Sequence, residues 1–134
     1  IGTAPFVLNI QTILGYILAP IAWIIGVPWA DATIVGSLIG QKITLNEFIA
    51  YQELSKITVG TGPGQISLDA RIIATYALCG FANFSSIAIQ IGGIGGLAPE
   101  RRSDLARMGL IAVLGGCLAT FMTATIAGVL LKFT

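Results

Sequence analysis

The chain contains no histidine, and only 10% of its residues are charged. Without histidine it lacks the usual general base and the commonest metal ligand. A soluble domain carries about a quarter charged residues to cover its surface, so this scarcity argues against one. Charge is also missing in blocks: residues 1–30, 72–99 and 108–131 hold no Asp, Glu, Lys or Arg. Each block exceeds the roughly 20 apolar residues that a bilayer-spanning helix requires. No basic patch interleaved with aromatics occurs, which gives nucleic acid no footing as a partner. Cys79 and Cys117 lie in separate apolar runs, outside any spaced framework. They read as small core residues, not as a disulfide or a metal site.

What remains is apolar: 55% of the 134 residues are hydrophobic, and the formal net charge is +1. The fold class implied is all-α, a polytopic helical membrane protein in contact with lipid. The chain opens on Ile1 with no charged n-region ahead of its apolar stretch. That does not fit a signal peptide, and further protein is expected before it.

Residues 1–27 are expected to form interfacial or membrane-embedded helices. Pro20 should break them into a helix near 4–19 and a short piece ending at Gly26, because proline removes a backbone donor. Trp23 and Trp29 suit the boundary between lipid tails and headgroups. Residues 28–55 read as a re-entrant hairpin. An apolar run over 32–39 meets Gly40, Gln41 and Lys42 at the expected tip, and a second helical pattern follows to Glu53. Arms of about 10–14 residues are too short to cross alone and must be buried in protein. One continuous span, with Lys42 and Glu47 near its middle, is the other reading of this stretch. Residues 55–68 form a Gly- and Pro-containing loop.

Residues 69–97 are expected as one transmembrane helix with a central polar stripe, and Gly80 and Asn83 mark where it could unwind. A charged loop covers 98–107, and residues 108–131 form the last transmembrane helix. There Ala112, Gly116, Thr120, Ala124 and Gly128 recur every fourth position, as do Gly115, Ala119, Thr123 and Ala127. Such ridges let helix backbones approach closely. Arg101, Arg102 and Arg107 outweigh Lys56 and Arg71, so the 98–107 loop is expected to be cytoplasmic. The hairpin mouth, the 55–68 loop and the C-terminus then share the opposite face.

Glu47 is the most informative residue. A carboxylate at membrane depth is costly and usually faces a cavity, a pathway or a partner charge. Lys42 is one candidate partner, but five residues is a poor spacing for an ion pair on one helix. Cys79, Asn83, Ser86 and Gln90 follow at steps of four, three and four, which places them on one helix face. Asn and Ser offer donors and acceptors that, with Glu47, could pair the hydroxyls of a polyol such as ribose. Phe81 and Phe84 could supply an apolar wall. The same stripe could equally glue helices together. No nucleophile–base pair or metal-ligand spacing supports an enzyme. A channel-like or structural membrane subunit stays open as the alternative to a carrier.

Two motifs carry a resemblance. Gly40, Lys42 and the run LNEFIAY at 45–51 resemble the signature G-x-K-x-x-x-N-E-F-V-A of concentrative nucleoside transporters, departing only at Ile49. The segment GFANFSSIAIQIGGIGGLAPERR at 80–102 resembles the G-F-A-N-x-S-S-I segment of the same family. The likeness runs from about Gly15 to Leu130, the C-terminal, second-repeat part of such a transporter domain. It implies a multi-pass protein of the plasma membrane (the inner membrane in a bacterium) that takes up nucleosides by symport with Na+ or H+. It implies that Glu47, Asn83 and Ser86 bind the ribose and that Phe81 lines the site. A homotrimer with an elevator-like transport domain is implied as well. The family's base-recognition and coupling-ion sites lie upstream, so the ion site is expected outside residues 1–134, in the missing N-terminal half, and no cofactor is expected.

Overall fold

The computed structural model describes residues 10–133. Among them the fold is all-α: α1 Ile10–Ile24, α2 Trp29–Thr44, α3 Glu47–Lys56, α4 Leu68–Leu78, α5 Phe84–Leu97 and α6 Arg102–Leu130. Short 3-10 turns occupy Pro99–Arg101 and Leu131–Phe133. In the loop joining α3 to α4, Val59 and Ile66 form an isolated bridge.

α1 and α2 fold back on each other with a 117° bend. The bend uses Gly26, at φ +107°, and Pro28 immediately before α2. The two helices meet backbone to backbone. A Cβ on Gly36 would lie 2.7 Å from the Gly15 carbonyl oxygen, so only glycine allows this approach. α1 runs unbroken through Pro20, contrary to the expected break. Packing along α2 holds the helix despite the one backbone bond that proline forfeits. The expected helix start at residue 4 lies outside the described residues.

The break between α2 and α3 falls later than the sequence suggests. Gly40, Gln41 and Lys42 are buried turns of α2, and the break falls at Leu45–Asn46. Two side chains set it there. Thr44 Oγ1 donates to the Gly40 carbonyl at 2.7 Å and closes the end of α2. Asn46 accepts from the Ile49 amide at 3.0 Å and caps α3, the position this residue type favours.

The single helix expected over 69–97 is two helices. α4 ends at Leu78 and α5 begins at Phe84, with residues 79–83 unwound between them. Gly80 sits at φ +112°, in the region only glycine enters at little cost, and a helix cannot continue through it. Asn83 then caps α5 by accepting from the Ser86 amide at 2.8 Å.

α6 starts at Arg102, so much of the expected 98–107 loop is helical. Asp104 lies in its first turn and pairs with Arg101 at 2.8 Å, both favourable at a helix N-terminus. Its 29 residues span about 43 Å at 1.5 Å per residue, ample for a hydrocarbon core of about 30 Å. One of the two small-residue ridges is used: Gly116 faces Ala82, and Ala124 and Gly128 are buried. Gly115, on the other ridge, faces open space. The outer face carries Leu110, Ile111, Leu114, Leu118, Met122 and Ile126, all exposed, the surface a bilayer would cover. Lys132 pairs with Asp69 at 3.6 Å, which puts the C-terminus and the start of α4 at one end of the fold.

Candidate functional site

Both helix breaks deliver a helix N-terminus to the same place. Asn46 caps α3 and puts Glu47 in its first turn, where the helix dipole favours a carboxylate. Asn83 caps α5 from the other break. There Asn83 Nδ2 donates to Glu47 Oε2 at 2.9 Å. The two residues are thus joined directly across the fold.

The polar atoms around this bond are already sorted into donors and acceptors. Asn83 Oδ1 accepts from the Ser86 amide and from Ser85 Oγ at 2.7 Å, so its carbonyl is occupied by local structure. Its remaining capacity is the second N–H of the amide. Ser86 Oγ donates to the Asn83 carbonyl at 2.7 Å, which leaves its lone pairs as acceptors. Glu47 is half-buried, and Oε1 has no hydrogen-bond partner among the described residues. The constellation therefore offers a charged acceptor, a neutral acceptor and a donor. That set suits a diol, whose hydroxyls each donate and accept.

The structure brings Glu47, Asn83 and Ser86 together, with Asn83 and Ser86 buried. Phe81 lies in the unwound linker, 71% exposed, on the rim of a cavity of about 270 Å³ between α5 and α6. Ser86 and Gln90 line that cavity, whereas Glu47 and Asn83 do not. The four-residue stripe expected over 79–90 is dispersed. Unwinding takes Cys79 off the helix and leaves it exposed, and Gln90 is exposed on α5.

Two features were not read from the sequence. The first is the burial of Lys42, which forms no ion pair with Glu47, as their spacing predicts. Its side chain is wholly buried, donating to the Ala77 carbonyl at 3.2 Å and to Thr120 Oγ1 at 3.1 Å, with Nζ 5.9 Å from the centroid of the Phe121 ring. The available signal was its register: Val35, Leu38 and Ile39 share its stripe of α2, and all three are buried. Asp31 accepts from both the amide (3.1 Å) and the hydroxyl (2.7 Å) of Ser67. Ser67 in turn caps α4, so Asp31 pins the start of α2 to the start of α4. Among the described residues no group of three or more His, Cys, Asp or Glu is placed to hold a metal ion.

Residues 2–128 match the family described as Na+ dependent nucleoside transporter C-terminus. The chain is 47% identical to the nucleoside permease NupC of Helicobacter pylori, over 90% of its own length and 29% of that protein's. It is 44% identical to sodium/nucleoside cotransporter 1 of Rattus norvegicus, over 92% of its length and 20% of that protein's. Among solved structures it matches CNTnw in an inward-facing substrate-bound state, with a TM-score of 0.88 at 48% identity. That match covers 95% of this chain and 31% of the CNTnw chain. The chain thus spans less than a third of these relatives. With this family, these relatives and this fold in agreement with the two motifs, the chain belongs to the family described as Na+ dependent nucleoside transporter C-terminus, a family of helical membrane transporters and not of enzymes.

Proposed function

We propose that this chain supplies the ribose-binding half of a nucleoside carrier in the plasma membrane, a homotrimeric symporter driven by Na+ or H+. The observation that supports it best is the 2.9 Å bond from Asn83 to Glu47, which sets a half-free carboxylate between two helix N-termini. Glu47 accepts from two vicinal hydroxyls, Asn83 donates its spare N–H, and Ser86 accepts from a hydroxyl. Phe81 forms the wall of the site from the linker. The α2–α3 pair is a re-entrant hairpin, its tip at Leu45–Asn46 held at membrane depth by α4 and α6. Half-helices meeting at mid-membrane are a recurring way for carriers to build a site, because their free ends bind charge and polar groups.

Base recognition and the coupling ion belong to the N-terminal part of the full-length protein. A site built to hydrogen-bond hydroxyls rejects analogues that lack them, since its buried partners are left unpaired. Uptake of a labelled ribonucleoside by the full-length protein should therefore be competed about tenfold more weakly by 2′,3′-dideoxy analogues than by ribonucleosides. Equal competition by both would remove ribose from the reading. Saturable uptake that collapses with the ion gradients separates the carrier from a channel-like or structural subunit.

A further inference from the structure

Lys42 is the largest fully buried side chain among the described residues, and no carboxylate there lies within ion-pair distance of it. A lone buried ammonium is expensive unless its surroundings replace the water it has lost. The surroundings are all acceptors. The Ala77 carbonyl belongs to the last turn of α4, where unwinding at 79–83 removes the amide that would have continued the helix. It is an orphan group at the negative end of a helix dipole. Thr120 Oγ1 donates to the Cys117 carbonyl at 2.9 Å, so it presents only a lone pair to Lys42. The face of Phe121 adds a third negative surface. Carbonyls at the C-terminal ends of broken membrane helices are groups that hold a small monovalent cation, and an aromatic face attracts one as well.

We propose that the Lys42 ammonium is a built-in cation at the α4–α5 break, tethered through α2, and that its charge positions Asn83 and Ser86. Lys42 is a positioning residue. It touches the last turn of α4 and Thr120 of α6, and the linker that it steadies ends at Asn83. This rests on the reading that Asn83 and Ser86 hold substrate. The stem of Lys42 fills space that Met could also fill, so bulk and charge are separable.

The test uses the full-length carrier and two variants. Lys42→Met keeps an apolar stem without charge. Lys42→Ala leaves a channel the size of n-propylammonium, which replaces the missing Cγ, Cδ, Cε and Nζ. Both variants should lower uptake about tenfold or more, chiefly through a higher KM, the scale of losing one charged hydrogen bond. In Lys42→Ala, millimolar n-propylammonium should restore uptake and raise the thermal midpoint of the purified protein, and 1-propanol should do neither. If Lys42→Ala does not accumulate in the membrane, the two compounds are supplied during expression and accumulation becomes the readout. Wild-type behaviour of Lys42→Met, or equal rescue by propanol and propylammonium, or rescue by neither, overturns the proposal. The thermal readout needs no nucleoside. Absence of uptake by the wild type would count against the carrier reading, and the thermal readout alone would then decide the role of Lys42.

Discussion

Asn83 holds Glu47 with one side of its amide and caps α5 with the other, Nδ2 to Glu47 Oε2 at 2.9 Å and Oδ1 to the Ser86 amide at 2.8 Å. One side chain therefore fixes both the start of a helix and the orientation of a carboxylate. Its two functions can be removed separately.

Asn83→Ala removes both. Loss of an N-cap costs about 1 kcal/mol, so the thermal midpoint of the full-length protein should fall along with uptake. Asn83→Ser keeps an N-cap oxygen but has no N–H that reaches Glu47. It should recover most of the stability while uptake stays low. Equal stability of the two variants would show that the cap does not matter.

Glu47→Gln preserves shape and still offers an oxygen to Asn83, but it has no charge to give a hydroxyl. Hydrogen bonds to charged groups contribute about 1.5–3 kcal/mol, so initial uptake should fall by about tenfold to a hundredfold. Abundance in the membrane should change little. Near-normal uptake kinetics would falsify the assignment of Glu47 to the site.

Gly80→Ala forces a side chain onto a residue at φ +112° and brings its Cβ to 3.0 Å from Thr120 Cγ2. The backbone term alone is about 1–2 kcal/mol. The variant should lose stability and, because Thr120 also accepts from Lys42, weaken substrate affinity. Unchanged thermal stability and KM would mean that the linker adapts freely.

The arginines around the start of α6 should face the cytoplasm. Ser103 is exposed there, so Ser103→Cys in a background lacking Cys79 and Cys117 reports the side. An impermeant thiol reagent should leave intact cells unlabelled and label them after permeabilisation. Ready labelling of intact cells would invert the topology.

The helical membrane class was legible because hydrophobic runs and missing charge are properties of whole segments. Glu47, Asn83 and Ser86 were legible as site candidates, by their cost at membrane depth and by their resemblance to known motifs. Boundaries were less so. Nothing local distinguishes the buried Gly40–Lys42 turn of α2 from a hairpin tip, because packing by Leu14 and Ala77 from distant segments keeps it helical. Gly80 and Asn83 marked a place where the helix could unwind, and the positive φ of Gly80 and the cap made by Asn83 break it there, but the contacts of Lys42 with the end of α4 were not visible locally. Lys42 reads as part of the hairpin tip because Gly40 and Gln41 beside it resemble turn chemistry, whereas its acceptors come from Ala77 and Thr120, far away in sequence.

Asp31 to Ser67 and Glu47 to Asn83 each join residues 36 apart in sequence. Bringing together the ends of one such loop costs about 3 kcal/mol in chain entropy by the logarithmic loop rule. The second closure is far cheaper once the first exists, because α2 and α4 then leave from a common root as stiff rods and carry Glu47 and Asn83 toward each other. The distant clamp thus spares the site most of its own ordering cost. A substitution such as Asp31→Ala would return that cost to the binding of substrate, weakening affinity from the opposite end of α2 without altering any group that substrate touches.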